Sequence, residues 1–237
     1  MMKPVALFRH DNANLPELCL EYLQVTGTPY EQIFIGEGGA VPESPEAYAG
    51  LVFMGGVESV NDDRPWLKAC IRLIEQAIAA DIPVLGHCLG GQMLAKAAGA
   101  RVGRSPAVEI GWFPLSATGP QGQEWFGRAH FHAMHWHNET FELPAGATLL
   151  LQGPACKNQA FLLNNIHIGM QFHIEIRLPR LRDWLQKTAQ LNESLPDKSH
   201  VQSQEQILAG AERYIGAAHA VGISLYERWL NHCRTRR

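Results

Sequence analysis

The short apolar stretch Ile82 to Leu85 runs through Gly86-His87-Cys88-Leu89-Gly90 into helix-forming residues from Gly91 to Ala98, with no loop between. A chain that passes from strand to helix this abruptly has to build a tight β-α corner. Gly86 and Gly90 let the backbone turn there without a side-chain clash. Cys88 stands at the corner, in the cysteine version of the G-x-S-x-G nucleophile elbow. The same turn places its sulfur at a helix N-terminus, where the dipole favours thiolate. A lone apolar-flanked cysteine is ordinarily an inert core residue. The Gly-x-Cys-x-Gly frame is what marks this one as a nucleophile.

The rhythm around that corner defines the fold class. Val5 to Phe8, Gln32 to Ile35, Ala49 to Met54 and Ile82 to Leu85 read as strands, with a helix over Leu15 to Val25. Pro65 to Ala80 is amphipathic, with Leu67, Cys70, Ile71, Ile74 and Ile78 at helical spacing and Pro65 in the first turn. Such β-α-β-α alternation predicts an α/β fold, a mostly parallel sheet with helices on both faces. Ligands of such sheets sit beyond the carboxyl ends of the strands. Gly55-Gly56 and Cys88 should therefore share one crevice.

The middle of the chain reads differently. Val108 to Leu115, His130 to Met134, Thr148 to Leu151, Gln159 to Leu162 and His167 to Phe172 look like short strands, largely antiparallel additions. From Pro179 the pattern is helical, with Leu181, Trp184 and Leu185 on one face. Asn192 to Gln204 is polar, contains Pro196 and reads as a surface loop before a long helix from Ile207 to Trp229. That helix has the apolar content to pack on the sheet or across a homodimer interface.

Composition excludes several function classes. With 237 residues and 46% hydrophobic content, the chain can bury a full core. A formal net charge of -3 provides no electrostatic footprint for nucleic acid or an anionic membrane. No apolar run approaches the ~20 residues of a membrane helix, and no signal-peptide layout opens the chain. Cys19, Cys70, Cys88, Cys156 and Cys233 form an odd set without C-x-x-C spacing. That argues against a disulfide framework and for a reducing cytoplasm.

A nucleophilic thiol needs a base and a group to orient the base. Gln171-Phe172-His173-Ile174-Glu175 offers both. In extended geometry His173 and Glu175 point the same way. A carboxylate so placed holds the imidazole's tautomer and stabilises the imidazolium.

The two segments together resemble class I glutamine amidotransferases. Gly86-His87-Cys88-Leu89-Gly90-Gly91-Gln92 is similar to the family's G-x-C-x-G-x-Q motif, and Gln171 to Glu175 to its Q-F-H-P-E motif; 85 positions separate Cys88 from His173. Gly55-Gly56-Val57-Glu58-Ser59 is similar to the G-G-P-x-S loop, His135 to Pro144 to the S-x-H-G-D-x-x-x-x-L-P stretch, and Gln159-Ala160-Phe161 to Q-A-F. The resemblance runs from Val5 to about Glu175 and fits best the free-standing chains similar to the amidotransferase domain of GMP synthetase. It implies a flavodoxin-like three-layer sandwich over residues 1–237 as a single domain, with 178–237 a C-terminal helical extension. It further implies a Cys88-His173-Glu175 triad and a backbone oxyanion hole at Gly56, with Leu89 supplied by the elbow itself. Substrate contacts would come from Gln92, His137 and Gln159. No cofactor or metal is implied. The substrate would be glutamine or a γ-glutamyl compound. The released ammonia would go to a separate synthetase chain or, in a plain hydrolase, to solvent. Departures fall at Val57 and Ile174, where proline is usual, and at Trp136 and Asn138, which bear on the identity of the bound amide.

Four other readings stand beside this one. Gly55 to Ser59 also looks like the S-G-G-x-D-S loop of ATP pyrophosphatases, although Met54 and Glu58 replace its Ser and Asp. His130, His132, His135 and His137 could present imidazoles to a metal, but no cysteine or clustered carboxylate near them in sequence completes a site. The chain could be a regulatory binding module on the same fold, which the intact Cys88, His173 and Glu175 argue against. It could also hydrolyse a γ-glutamyl amide or peptide other than glutamine, since Trp136 can reshape a small pocket.

Overall fold

A computed structural model describes residues 2–12, 14–36, 38–193, 195 and 197–235. Among these residues, nine strands form one sheet in the order β2-β1-β3-β4-β9-β8-β7-β5-β6. The parallel half holds β1 (Val5–Arg9), β2 (Tyr30–Phe34), β3 (Gly50–Phe53), β4 (Val84–His87) and β9 (His167–Met170). The remainder is antiparallel: β5 (Val102–Ala117), β6 (His130–Phe141), β7 (Thr148–Gln152) and β8 (Ala160–Leu163). The helices are α1 (Glu17–Val25), α2 (Pro65–Ala79), α3 (Leu89–Ala97), α4 (Pro120–Phe126), α5 (Leu178–Glu193) and α6 (Gln204–Thr235). This is the flavodoxin-like α/β arrangement.

Strand alternation sorts the core into two layers. Val5 and Leu7 of β1 and Val52 of β3 face a cluster built from α1, α4, α5 and α6. Ala6, Phe8, Leu51 and Phe53 face the opposite cluster, built from α2 and α3. The central strands are buried on both faces, so they read as unbroken apolar runs. Helix α2 buries Leu67, Cys70, Leu73, Ile74 and Ala77. Each Leu or Ile buried there contributes about 1.5–3 kcal/mol relative to exposure. The buried stripe includes Leu73 and Ala77, while Ile71 and Ile78 only flank it.

The middle of the chain departs from the expectation of short strands. Val108 to Leu115 is part of the 16-residue β5, and His130 to Met134 continues through the whole 12-residue β6. A register shift between Arg104 and Glu109, near Pro106, lets so long a pair twist and breaks its sequence pattern. Helix α4 carries no long apolar period, so the sequence pattern does not reveal it.

Helix α6 lies over α1, α4, β5 and β6, burying Tyr226, Trp229 and Leu230 in the core of this chain. The polar stretch before it is pinned to the sheet. Gln202 accepts from the Trp112 N–H at 2.9 Å and donates to the Trp112 carbonyl at 3.0 Å. Pro196 lies outside the described residues. No described helix is long and apolar enough to cross a membrane.

Candidate active site

Cys88 sits between β4 and α3 with φ 48° and ψ -108°. That backbone conformation is strained for any residue with a Cβ. The neighbouring glycines act differently from the sequence expectation. Neither Gly86 nor Gly90 has positive φ. Instead, a Cβ on Gly86 would overlap the Gly90 backbone, and one on Gly90 would overlap the Phe53 carbonyl. They allow the elbow to press against its own strand and against β3, while Cys88 takes the strained angles.

His173 and Glu175 follow β9 and are tied back to β6. The His173 N–H donates to the Met134 carbonyl at 2.8 Å, forming an isolated bridge. His173 Nδ1 meets Glu175 Oε1 at 2.7 Å, with both side chains buried. The Nδ1 atom being engaged, Nε2 is the ring atom left for other contacts. Burial disfavours the His173 charge, but Glu175 and Cys88 outweigh it and raise the pKa to about 10. For Glu175, burial opposes ionisation, and His87 and His173 together hold its pKa well below the usual carboxylate range.

The sequence pattern does not single out His87. Its Nδ1 lies 3.0 Å from Glu175 Oε2, so Glu175 is clasped between two imidazoles. The Tyr226 hydroxyl lies 3.5 Å from His87 Nε2. The period-two rule at the end of β4 places His87 and Cys88 on opposite faces. That rule sends His87 into the layer where Glu175 ends, but the partner comes from a distant segment.

A cavity of about 340 Å³ opens at this point, lined by Gly56, Glu58, Cys88, Gln92, His137 and His173, among others. Gly55 and Gly56 follow β3, so the two strand-end segments do share a crevice. Leu89, the first residue of α3, presents an N–H that has no intrahelical acceptor by position. Gln171 Nε2 approaches Cys88 Sγ at 3.7 Å, and its Oε1 accepts from Gln92 Nε2 at 3.2 Å. Gln92 Nε2 also donates to the Glu139 carbonyl at 3.1 Å.

Of the three side chains expected at the substrate, Gln92 and His137 line the cavity. Gln159 does not: it is fully buried, and its Nε2 donates to Glu109 Oε2 at 2.8 Å. Glu109 is also the carboxylate that the histidine cluster lacked in sequence. Its Oε2 lies 2.9 Å from His137 Nε2 and 3.6 Å from His135 Nδ1. The ligating atoms of all three lie within 4.8 Å of one another. The expectation that no carboxylate joins these histidines is thereby corrected. Sheet pairing is the reason, since β5 sets Glu109 opposite His137. His137 Nδ1 faces the Glu139 carbonyl at 3.1 Å. Burial disfavours the Glu109 charge, but the adjacent imidazoles of His135 and His137 bring its pKa far down. His130 and His132 face away, against Ser116 and Tyr214.

The fold and this constellation define a class, and comparison with known proteins agrees. The sequence profile of Glutamine amidotransferase class-I matches residues 23–187, more than half of the chain. The chain belongs to that family. It is similar to the glutamine amidotransferase-like protein YfeJ of Salmonella typhimurium, with 32% identity over 68% of this chain and 70% of that one. It is also similar to a glutamine-hydrolyzing GMP synthase subunit of Pyrococcus abyssi, with 28% identity over 54% of this chain and 66% of the other. Gamma-glutamyl peptidase 4 of Arabidopsis thaliana is 26% identical over 58% of each chain. Among solved structures, the glutamine amido transferase from Methylobacillus flagellatus superposes with a TM-score of 0.94 at 34% identity, covering 98% of this chain and 96% of the other.

Proposed function

We propose that this chain hydrolyses the side-chain amide of glutamine or of a γ-glutamyl compound through a Cys88-His173-Glu175 triad. The observation that carries the reading is the buried 2.7 Å His173–Glu175 pair at a cavity that also exposes the elbow thiol of Cys88. In this reading the Cys88 thiolate attacks the amide carbon. The backbone N–H groups of Gly56 and Leu89 hold the tetrahedral oxyanion, each contributing about 3 kcal/mol to the transition state. The His173 imidazolium protonates the departing nitrogen, then activates the water that cleaves the γ-glutamyl thioester. Glu175 keeps the ring oriented and its charge compensated. Gln92 and His137 contact the substrate, and Gln159 acts behind them through Glu109.

Likeness to a GMP synthase subunit supports a second chain as acceptor of the released ammonia. The test is ammonia and glutamate release from glutamine and γ-glutamyl amides. Cys88→Ala is expected to lower kcat/KM by at least about 10⁴-fold while leaving the fold intact by circular dichroism. Full activity in that variant would overturn the reading.

A further inference from the structure

The cavity has two unlike ends, and they bear on the leaving group. One end is polar. Gln92 and Glu139 meet there at 3.1 Å, and Glu58 Oε2 is buried beside Gly56 without a hydrogen-bond partner among the described residues. Beside His173 the lining is mixed, with Asn14, Lys187 and Thr188 polar and the ring of Trp184 the large apolar surface. The Trp184 ring packs edge-on against His173 at 5.1 Å between centroids and against Trp136 at 5.6 Å. Val108, Ile110 and Leu195 add further apolar lining to the cavity.

The polarity matters because the acid has a fixed place. Whatever nitrogen leaves the tetrahedral intermediate takes its proton from His173, so a substituent on that nitrogen has to lie on the His173 side. Ammonia would leave the aromatic wall without a contact. The volume of about 340 Å³ also falls within the range of about 300–1,000 Å³ that holds ligands larger than an amino acid. Resting on the triad reading above, we infer that the favoured substrates are γ-glutamyl amides whose nitrogen carries an apolar or aromatic group, such as γ-glutamyl conjugates of large amino acids. The glutamyl head occupies the end formed by Glu58, Gln92 and Glu139. The substituent packs against the surface that Trp136 and Trp184 form together and reaches Leu195.

The step balances without a further reactant. The Cys88 sulfur bonds to the carbonyl carbon of the γ-amide, and the C–N bond breaks as the tetrahedral intermediate collapses. His173 transfers its proton to nitrogen, and the substituted amine departs. Water then adds to the thioester, the C–S bond breaks, and glutamate and the thiol are regenerated.

The experiment compares kcat/KM for glutamine, γ-glutamylglycine and γ-glutamylphenylalanine, following glutamate release by wild type and by Trp184→Ala. For wild type, the phenylalanine conjugate is expected to exceed both others by at least tenfold. Trp184→Ala should reduce that ratio, read within the one variant so that a general loss of activity cancels. Glutamine turned over as well as the conjugates overturns the inference and leaves Cys88 hydrolysis standing. If no conjugate is cleaved, the inference also falls. If a chloroketone analogue of glutamine then fails to alkylate Cys88, the triad reading falls with it.

Discussion

Glu175 is held on two sides, and this governs how the reacting groups are ordered. Oε1 is hydrogen-bonded to His173 at 2.7 Å and Oε2 lies 3.0 Å from His87 Nδ1, a purely electrostatic contact, in a setting where a carboxylate oxygen with no cationic neighbour would be costly. His87 touches neither the cavity nor the thiol, so it is a positioning residue. Replacing His87 by Asn, which shortens the side chain and leaves Oε2 short of a partner, is expected to cost about 1–3 kcal/mol of stability. Urea denaturation measures that cost. The pH profile of kcat/KM should move in the same variant, because Glu175 then leans on His173 alone. A variant that loses stability with an unmoved profile would mark His87 as packing only.

At the scale of elements, the β4-Cys88-α3 elbow works because three glycines let backbone meet backbone. A Cβ at Gly90 would overlap the Phe53 carbonyl of β3, and one at Gly91 would overlap the Met170 carbonyl of β9. Neither obstacle is a flexible side chain that could swing aside. Gly90→Ala is therefore expected to destabilise the chain by roughly 3 kcal/mol or more, at the upper end of overpacking penalties. Thermal unfolding is the check, and Gly103→Ala is the control, since nothing lies within 4 Å of its added Cβ. The same close approach explains why α3 begins one residue after the thiol. It also explains why the sequence expectation of a helix from Gly91 begins two residues late.

For the whole molecule, the buried ion pairs couple stability to pH. The Glu175 pKa is depressed below 4.5, so its contribution is present above that value and fades as pH falls further. The His173 pKa is raised from 6.5 to about 10, so its contribution is complete below 6.5 and is lost as pH rises toward 10. Both are fully present only between the two unfolded values. The difference in Tm between wild type and a His173→Gln, Glu175→Gln double variant is expected to be largest near pH 5–6 and to shrink by pH 9–10. Scanning calorimetry across that range tests it. A difference that grew with pH would contradict the ion-pair description.

What the sequence determined by itself is what local spacing can encode. The two-residue step from His173 to Glu175, the Gly-x-Cys-x-Gly frame and the alternation of apolar runs with the α2 stripe all act within a few positions along the chain. They are legible together with the layered fold. Tertiary structure alone decided the partners of that machinery. His87 meets Glu175 across the boundary between β4 and the segment after β9. Gln159 turns from substrate to Glu109 across 50 positions, and Tyr226 reaches His87 across 139. Trp184 comes to lie against His173 only because α5 packs along the cavity. The physical reason is the same in each case. Sheet order and helix docking bring together groups whose separation along the chain carries no periodicity, so no pattern in the sequence announces them.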